Sequence, residues 1–316
     1  MDARLVFTAL IGQNSNRGRN GVKIILTAPH FPPPISHFRS GDALRSRSVS
    51  SAVLCGTVTV PVLPTRLLAD WERETSLRLG LAPGEVEALP LARARVRWPD
   101  YKHCVQAVSD WTGTLGLHDL LPACDVALMA CRGAAYHHDG AQYGAMAFCN
   151  LFLSEDRGLD LHFPHAGCRI PLQRGTVVLF DTGQPHAVVA RSSSGFDVAD
   201  FPPDLDCTQV FLTWELPIEN AHVGHALGVT FDVDPLTSLL LDEEQVWRGG
   251  VRASVCPDSG RWCPDDVGIT SPHPQPASPT KIFCTSSFAS MAARKASTSS
   301  RSLALNDAGA TGFLAL

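Results

Sequence analysis

Short apolar runs of strand length follow one another through the middle of the chain, and glycine, proline or charged turns separate them. Runs of this length with turn residues between them are typical of an antiparallel barrel or sandwich. The runs cover residues 125–131, 144–153, 159–163, 176–180, 187–190 and 209–214. The pattern therefore predicts a mainly β fold.

Two segments before these runs have the apolar spacing of helices. The first follows Thr65, a candidate N-cap, and places its apolar residues on one face over residues 65–75. The second has apolar residues at three- and four-residue steps, which are Tyr101, Cys104, Val105, Val108, Trp111 and Leu115. Both helices are expected to flank the β core. Between them, the alternating Arg93, Arg95 and Arg97 predict an exposed strand instead.

The two ends of the chain differ in composition from the middle. Residues 1–55 are basic and rich in Ser, Arg, Asn, Gly and Pro, which predicts a flexible N-terminal extension. Ser, Ala, Pro and Thr dominate residues 251–316, which predicts a largely disordered tail. Residues 56–250 are therefore expected to form one β domain with supporting helices at its N-terminal side.

Charge is unevenly distributed along the chain. The net charge is −5, but the first 60 residues carry seven basic and two acidic side chains, whereas residues 61–250 carry 13 basic and 25 acidic ones. Binding to nucleic-acid phosphates depends on clustered Lys and Arg. The acidic middle region therefore argues against nucleic acid as a partner.

The sequence also indicates a compartment. No run of 18 apolar residues occurs, so no membrane span is expected. The apolar segment 5–11 is short and lacks a convincing cleavage site, so no signal peptide is expected. Ten cysteines at irregular spacing in 316 residues do not have the density of a disulfide scaffold. A cytoplasmic location is expected.

Three residues form a candidate metal site. His137 and Asp139 are two positions apart, so on an extended segment both side chains leave the same face. His186 follows a turn-like segment and begins an apolar run, so it could supply a third ligand from another strand. Two histidines and one carboxylate on one face of a metal suit non-haem Fe(II), because the opposite coordination positions stay open. His138 is the competing ligand, but it is adjacent to Asp139 and would point the other way.

These motifs resemble those of the iron(II)/2-oxoglutarate-dependent dioxygenases. The shared pattern is His137-His138-Asp139, a glycine turn before the apolar strand at 174–180, and His186 at the start of the next strand. The resemblance covers roughly residues 95–216. It implies a double-stranded β-helix, or jelly-roll, core that binds Fe(II), O2 and 2-oxoglutarate. It also implies hydroxylation of a C–H bond in a small-molecule or peptidyl substrate, with release of succinate and CO2.

One part of the family pattern is missing. Members usually carry an Arg or Lys about ten residues after the distal His, to pair with the far carboxylate of 2-oxoglutarate. Position 196 is Phe here. The resemblance suggests other contacts to the co-substrate, with Arg174 as a further basic alternative. The residues expected to make them are Arg191, Arg169, Asn150 and Tyr143.

Two alternatives remain open at this stage. A cupin-type metal-dependent oxygenase or isomerase would keep the barrel and the triad but would not use 2-oxoglutarate. A non-catalytic β-barrel that binds a partner would tolerate the loss of His137 or His186. No nucleophile elbow, phosphate loop or dinucleotide fingerprint occurs in the chain.

Overall fold

The computed structural model describes residues 23–25 and 33–264. The remainder of the predicted extension and of the predicted tail lies outside the described residues. The strands are β1 Lys23–Ile25, β2 Ile35–Ser40, β3 Ala43–Ser48, β4 Val53–Thr57, β5 Val86–Leu89, β6 Asp125–Cys131, β7 Ala134–His137, β8 Met146–Phe152, β9 Leu159–Phe163, β10 Cys168–Pro171, β11 Thr176–Asp181, β12 His186–Ala190, β13 Gln209–Pro217, β14 Gln245–Arg248, β15 Val251–Val255 and β16 Trp262–Pro264. The α-helices are α1 Thr65–Arg73, α2 Leu91–Arg97, α3 Tyr101–Thr114, α4 Ala221–Leu227 and α5 Pro235–Ser238.

The described strands form three antiparallel sheets. A seven-stranded sheet has the order β1-β4-β11-β8-β13-β6-β5, and a four-stranded sheet has the order β10-β9-β12-β7. A five-stranded sheet has the order β16-β15-β14-β2-β3. The prediction of a mainly β fold with a few helices is confirmed.

Successive residues of a strand point to opposite faces of the sheet. Both faces of the seven-stranded sheet are covered by hydrophobic clusters. On one face, Leu179 and Leu212 pack in a cluster that includes Trp71 of α1 and Trp111 of α3. The other face contributes to a second cluster, which it shares with the four-stranded sheet. This inner cluster contains Val178, Phe180 and Phe211 from the large sheet and Leu161, Ile170 and Val188 from the small one.

Two of the helical predictions are confirmed and the prediction of a strand at the arginines is wrong. Helices α1 and α3 begin and end close to the expected positions. Arg93, Arg95 and Arg97 lie instead on α2, which follows Pro90 and buries only Ala94. A proline at the start of a helix is favourable because its φ is already helical. Among the described residues, no helix is long and apolar enough to cross a membrane.

Strands β1, β2 and β3 and the first part of β4 lie within the segment 1–55, which composition assigned to a flexible extension, and β15 and β16 lie within the assigned tail. Composition was misleading here because several of the polar side chains are buried in the sheet. Arg47 on β3 is fully buried and bonds the carboxylate of Asp181. The five-stranded sheet therefore joins chain segments from both ends of the described region.

Candidate metal centre

Antiparallel pairing brings the two candidate histidines together. His137 is the last residue of β7, His186 is the first of β12, and the two are cross-strand partners. A register irregularity follows between His186 and Val188. Asp139 is beyond the end of β7, where it begins a turn. The backbone carbonyl of Asp139 accepts hydrogen bonds from the backbone N–H groups of Gln142 and Tyr143. The carboxylate thus reaches the histidines from a turn and not from an extended strand.

The three side chains meet within bonding reach of one ion. His137 Nε2 is 3.8 Å from Asp139 Oδ1, and His186 Nε2 is 3.6 Å from Asp139 Oδ2. One ligand atom from each residue lies within 4.8 Å of the other two. Two atoms that bind one metal at a right angle, each at about 2.1 Å, are about 3 Å apart. The two distances between histidine and Asp139 exceed this separation by less than about 1 Å.

Backbone carbonyls fix the tautomer of both imidazoles. His137 Nδ1 lies 2.7 Å from the carbonyl oxygen of Ala135, and His186 Nδ1 lies 2.9 Å from that of Gln184. A carbonyl only accepts, so each Nδ1 must carry a proton, and in the neutral ring the lone pair is then on Nε2. Burial, followed by the nearby His137, lowers the pKa of His186 to about 4. His186 is therefore neutral near pH 7, as a metal ligand must be.

The turns that carry Asp139 and His186 are tied to each other. The backbone N–H of Asp139 donates to the carbonyl of Thr182 over 2.8 Å. The Thr182 hydroxyl lies 2.6 Å from the carbonyl oxygen of Tyr143 and 2.8 Å from that of Met146. Gly140 sits where a Cβ would be 2.9 Å from the Cα of Gly183. The two turns thus pack backbone against backbone.

A buried ion pair supports the second turn from behind. The guanidinium of Arg47 donates to both carboxylate oxygens of Asp181, over 2.6 and 2.8 Å. The same carboxylate accepts from the backbone N–H groups of Ser50 and Gly183. Because Asp181 ends β11 just before His186, Arg47 holds the turn that presents the distal histidine. Sequence reasoning missed Arg47, since only its burial distinguishes it from other basic residues near the N-terminus.

His138, the competing ligand, faces away from this group. Its ring lies 5.2 Å from the ring of Trp262. Beside both His137 and His138, an open cleft of about 280 Å³ runs between β7 and the hairpin of β14 and β15. It is lined by Tyr136, His137, His138, Ala141, Gln245, Val246, Arg252, Ala253, Ser254 and Val255.

Two of the residues predicted to contact a co-substrate lie on the side of the triad. Asn150 is on β8, on the face that carries Phe148 and Phe152 of the inner cluster. The ring of Tyr143 lies 5.1 Å from that of Phe148, and burial raises the pKa of the Tyr143 hydroxyl. The structure thus brings Tyr143 and Asn150 to the inner side of the large sheet.

The two predicted arginines are not brought to the triad. Arg169 is the cross-strand partner of His162, which is in turn the partner of Ala187. Partners in register share a face, so Arg169 lies on the sheet face opposite to that of His186. Arg191 is on the same outer side, where it donates to Asp160 over 2.8 Å.

Arg174 and Phe196 also lie away from the triad. The other basic alternative, Arg174, is in the turn before β11 and pairs with Glu155. Phe196, at the position where the sequence resemblance leads one to expect a basic residue, stacks on Phe201 in a loop. The structure therefore gives neither position a place beside the three candidate ligands.

Comparison with known proteins adds little to this geometry. No protein-family model matches the chain, and no curated protein matches it. Among solved structures, the chain is similar to a viral collagen prolyl hydroxylase from Paramecium Bursaria Chlorella virus-1, with 11% identity over 49% of this chain and 86% of that one and a TM-score of 0.28. It is also similar to vicilin from hazelnut, Corylus avellana, with 15% identity over 39% of this chain and 29% of that one and a TM-score of 0.18. Scores this low carry no functional argument.

Proposed function

We propose that this chain is an Fe(II)-dependent dioxygenase that uses a 2-oxo acid, with 2-oxoglutarate as the first candidate, to hydroxylate a C–H bond of a small-molecule or peptidyl substrate. One observation carries the proposal. His137 Nε2 and His186 Nε2, the ring nitrogens that carry the lone pair in the neutral imidazoles, both face the carboxylate of Asp139 within 4 Å. Two imidazoles and a carboxylate on one face are the donor set that suits non-haem Fe(II).

The path of the chain supports the corresponding fold. Apart from the β9–β10 hairpin, the strands from β6 to β13 alternate between the two sheets, with β6, β8, β11 and β13 in the large sheet and β7, β9, β10 and β12 in the small one. The two sheets share the inner cluster. We take this as the double-stranded β-helix core that the sequence resemblance implies.

The three candidate ligands fit an iron ion, and the residues around them orient the ligands and exclude water. His137, Asp139 and His186 would hold the ion, which when bound supplies the chemistry of O2 activation. The protein fixes the imidazoles through Ala135 and Gln184 and keeps water away from the distal one. The ring of Phe180 is 4.9 Å from that of His186, and the ring of Phe163 is 6.0 Å from it. An apolar wall of this kind limits competing reactions of an oxidising centre.

The substrate is proposed to approach through the cleft beside His137. This cleft is open, touches a candidate ligand, and offers the polar side chains of Gln245 and Ser254. A volume of about 280 Å³ fits a small molecule or one side chain of a peptide.

Anaerobic titration of metal-free protein with Fe(II), followed by 2-oxoglutarate, tests the proposal. We expect one Fe(II) per chain and a visible charge-transfer band when the 2-oxo acid is added. Asp139→Ala and His186→Ala should lose both. His138→Gln is the matched control, because His138 is next to the same ligands but faces Trp262, and it should bind iron as the wild type does.

A second candidate function rests on a specific observation. No inward-facing position of β6 to β13 is Lys or Arg, so these strands offer no charged partner to a co-substrate carboxylate. A cupin-type metal-dependent oxygenase or isomerase would not need one. Iron binding without a charge-transfer band for any 2-oxo acid would favour this alternative. Failure to bind iron at all would leave a non-catalytic binding module.

A further inference from the structure

The inner face of the large sheet carries a neutral polar pair below the triad. Asn150 on β8 and Thr213 on β13 are cross-strand partners. Partners in register present their side chains on one face. They share that face with Phe148, Phe152 and Phe211 of the inner cluster. Both polar side chains therefore point between the two sheets.

These two side chains are buried and unsatisfied. Asn150 is 6% exposed and Thr213 is 8% exposed. Within the described part of the chain, Asn150 Oδ1 and the Thr213 hydroxyl have no hydrogen-bond partner. Buried polar atoms nearly always have one, because leaving them unpaired is unfavourable. Gln209 on the same face is also unpaired, but it lies further from the triad, whereas Asn150 and Thr213 are next to the residues that line His186. At this position a ligand could supply the missing hydrogen bonds.

The pair lies on the same side of the large sheet as the side chains that contact the candidate metal centre. Phe180 contacts His186 and is the cross-strand partner of Phe148. Asn150 is two residues further along β8 than Phe148, about 7 Å at the usual strand rise. A ligand that extends from the metal between the two sheets, past Phe148 and Phe180, would meet Asn150 and Thr213.

The surroundings of the pair disfavour a carboxylate. Glu215 is two residues beyond Thr213 on the same face of β13. It is the cross-strand partner of Phe148 and is therefore nearer to the triad than Thr213. Burial, followed by the charge of Asp125, raises the pKa of Glu215 to about 7, so that it is partly ionised near neutrality. A second carboxylate would lose its water without gaining a cation, and its charge would raise the pKa of Glu215 further. An uncharged polar group avoids both penalties.

We propose that Asn150 and Thr213 form a neutral subsite that holds the far end of a metal-bound 2-oxo acid, and that this end is an uncharged hydrogen-bonding group. The inference rests on the proposed function and departs from the family pattern, in which Arg or Lys pairs with a carboxylate. It assigns selectivity among 2-oxo acids to these two side chains. 2-Oxoglutarate would bind, but less tightly than a neutral analogue.

Three 2-oxo acids test the subsite in the anaerobic Fe(II) protein, with the charge-transfer band as the readout of binding. They are 2-oxoglutarate, its 5-methyl ester, and 2-oxopentanoate, which has no polar far end. We expect the ester to bind at least roughly fivefold more tightly than 2-oxoglutarate. An ester only accepts, so the Thr213 hydroxyl and the N–H of the Asn150 amide, turned over toward the ligand, would donate to it. Thr213→Val and Asn150→Leu should therefore each weaken ester binding roughly five- to tenfold and leave 2-oxopentanoate unchanged.

Two more variants test whether the effect is specific to the pair and depends on charge. Gln209→Leu is the matched control. Gln209 is fully buried on the same face, with both side-chain polar atoms unpaired. It lies four residues before Thr213 on β13, on the side away from the triad. It should leave all three affinities unchanged. Thr213→Lys should reverse the preference by supplying a cation. Thr213→Val and Asn150→Leu keep the side-chain shape, so they serve even where the lysine variant does not fold.

Each contrary outcome has a distinct meaning. If 2-oxoglutarate binds tenfold more tightly than the ester and Thr213→Val changes neither, a charged partner acts elsewhere and the neutral subsite is refuted. If iron binds but no 2-oxo acid produces a band, the proposed use of a 2-oxo acid fails, and the subsite fails with it. If the wild type binds no Fe(II), the proposed function itself fails, which the metal titration shows before any 2-oxo acid is added.

Discussion

At the scale of single residues, Arg47 combines full burial with a role in placing a candidate ligand. Its partner Asp181 is also fully buried and precedes the turn that leads to His186. Arg47→Met would leave this carboxylate charged and without a counterion. We expect the free energy of unfolding to fall by about 3–5 kcal/mol, which urea denaturation would measure.

Arg45 provides the control on the same strand. It pairs with Glu219 and Asp232, but its side chain is 37% exposed. Exposed ion pairs contribute at most about 1 kcal/mol. Arg45→Met should therefore cost far less than Arg47→Met. Equal losses would mean that burial of the Arg47 pair does not determine its contribution.

Glu215 gives the protein a specific pH dependence. The pKa of its carboxyl is raised from 4.5 to about 7, first by burial and then by Asp125. Between these pH values the folded state holds a proton that the unfolded state has released. The free energy of unfolding should therefore fall as pH rises through this window, by on the order of 2 kcal/mol.

Denaturant titrations between pH 4.5 and 8 measure this slope. Glu215→Gln cannot ionise, so its stability should be flatter over the same range. Glu155→Gln is the control, since that side chain is 69% exposed, and it should keep the wild-type slope. A slope that survives in Glu215→Gln would assign the pH dependence to another group.

At the scale of elements, the candidate site depends on how closely two turns approach. A Cβ on Gly140 would lie 2.9 Å from the Cα of Gly183, and backbone cannot move aside as a flexible side chain can. Gly140→Ala should separate the turns that carry Asp139 and His186. We expect Fe(II) affinity to fall roughly tenfold or more, since ligand placement by surrounding groups has effects of this size.

Gly195→Ala is the matched control for this substitution. A Cβ there would be no closer than 3.4 Å to its neighbours, which is ordinary contact. Iron titration of both variants should therefore separate turn packing from a general effect of alanine. Retention of full iron affinity in Gly140→Ala would show that the turns tolerate the displacement.

The sequence predicted some elements well and others not, for physical reasons. The core strands were recognisable because their apolar runs are bounded by turn residues, and α3 because its apolar residues keep helical spacing. The segment 91–97 was misread because alternating arginines do not reveal a helix that buries only Ala94. The grouping of His137 with His186 depends on strand register, which no local pattern specifies.

The neutral pair could not be predicted for a related reason. Asn150 was singled out by resemblance, but Thr213 is an ordinary strand residue until β8 and β13 are paired in register. Likewise, the outward direction of Arg169 follows from its pairing with His162. Residue types were readable from the sequence, whereas the sheet face each one occupies required the structure.

At the scale of the whole molecule, segments from both ends of the described region complete the structure around the site. Strands β2 and β3 pair with each other and β2 pairs with β14, while β4 pairs with β11 of the large sheet. Trp262, near the other end, packs with Val49 and Val246. The domain boundaries expected from composition, 56 and 250, would cut through both groups.

A comparison of two fragments tests this dependence. Residues 56–250 lack Arg47, the counterion of the buried Asp181, and they lack β15, which borders the cleft beside His137. We expect this fragment to show no cooperative unfolding and no stoichiometric iron binding. Residues 33–264 retain the buried ion pair and the complete sheet that contains β2, β3, β14, β15 and β16. They should unfold cooperatively by circular dichroism and bind one Fe(II). A stable, iron-binding 56–250 fragment would instead mean that the core between the two sheets folds without either flank, and that the Arg47 pair adds stability without being required.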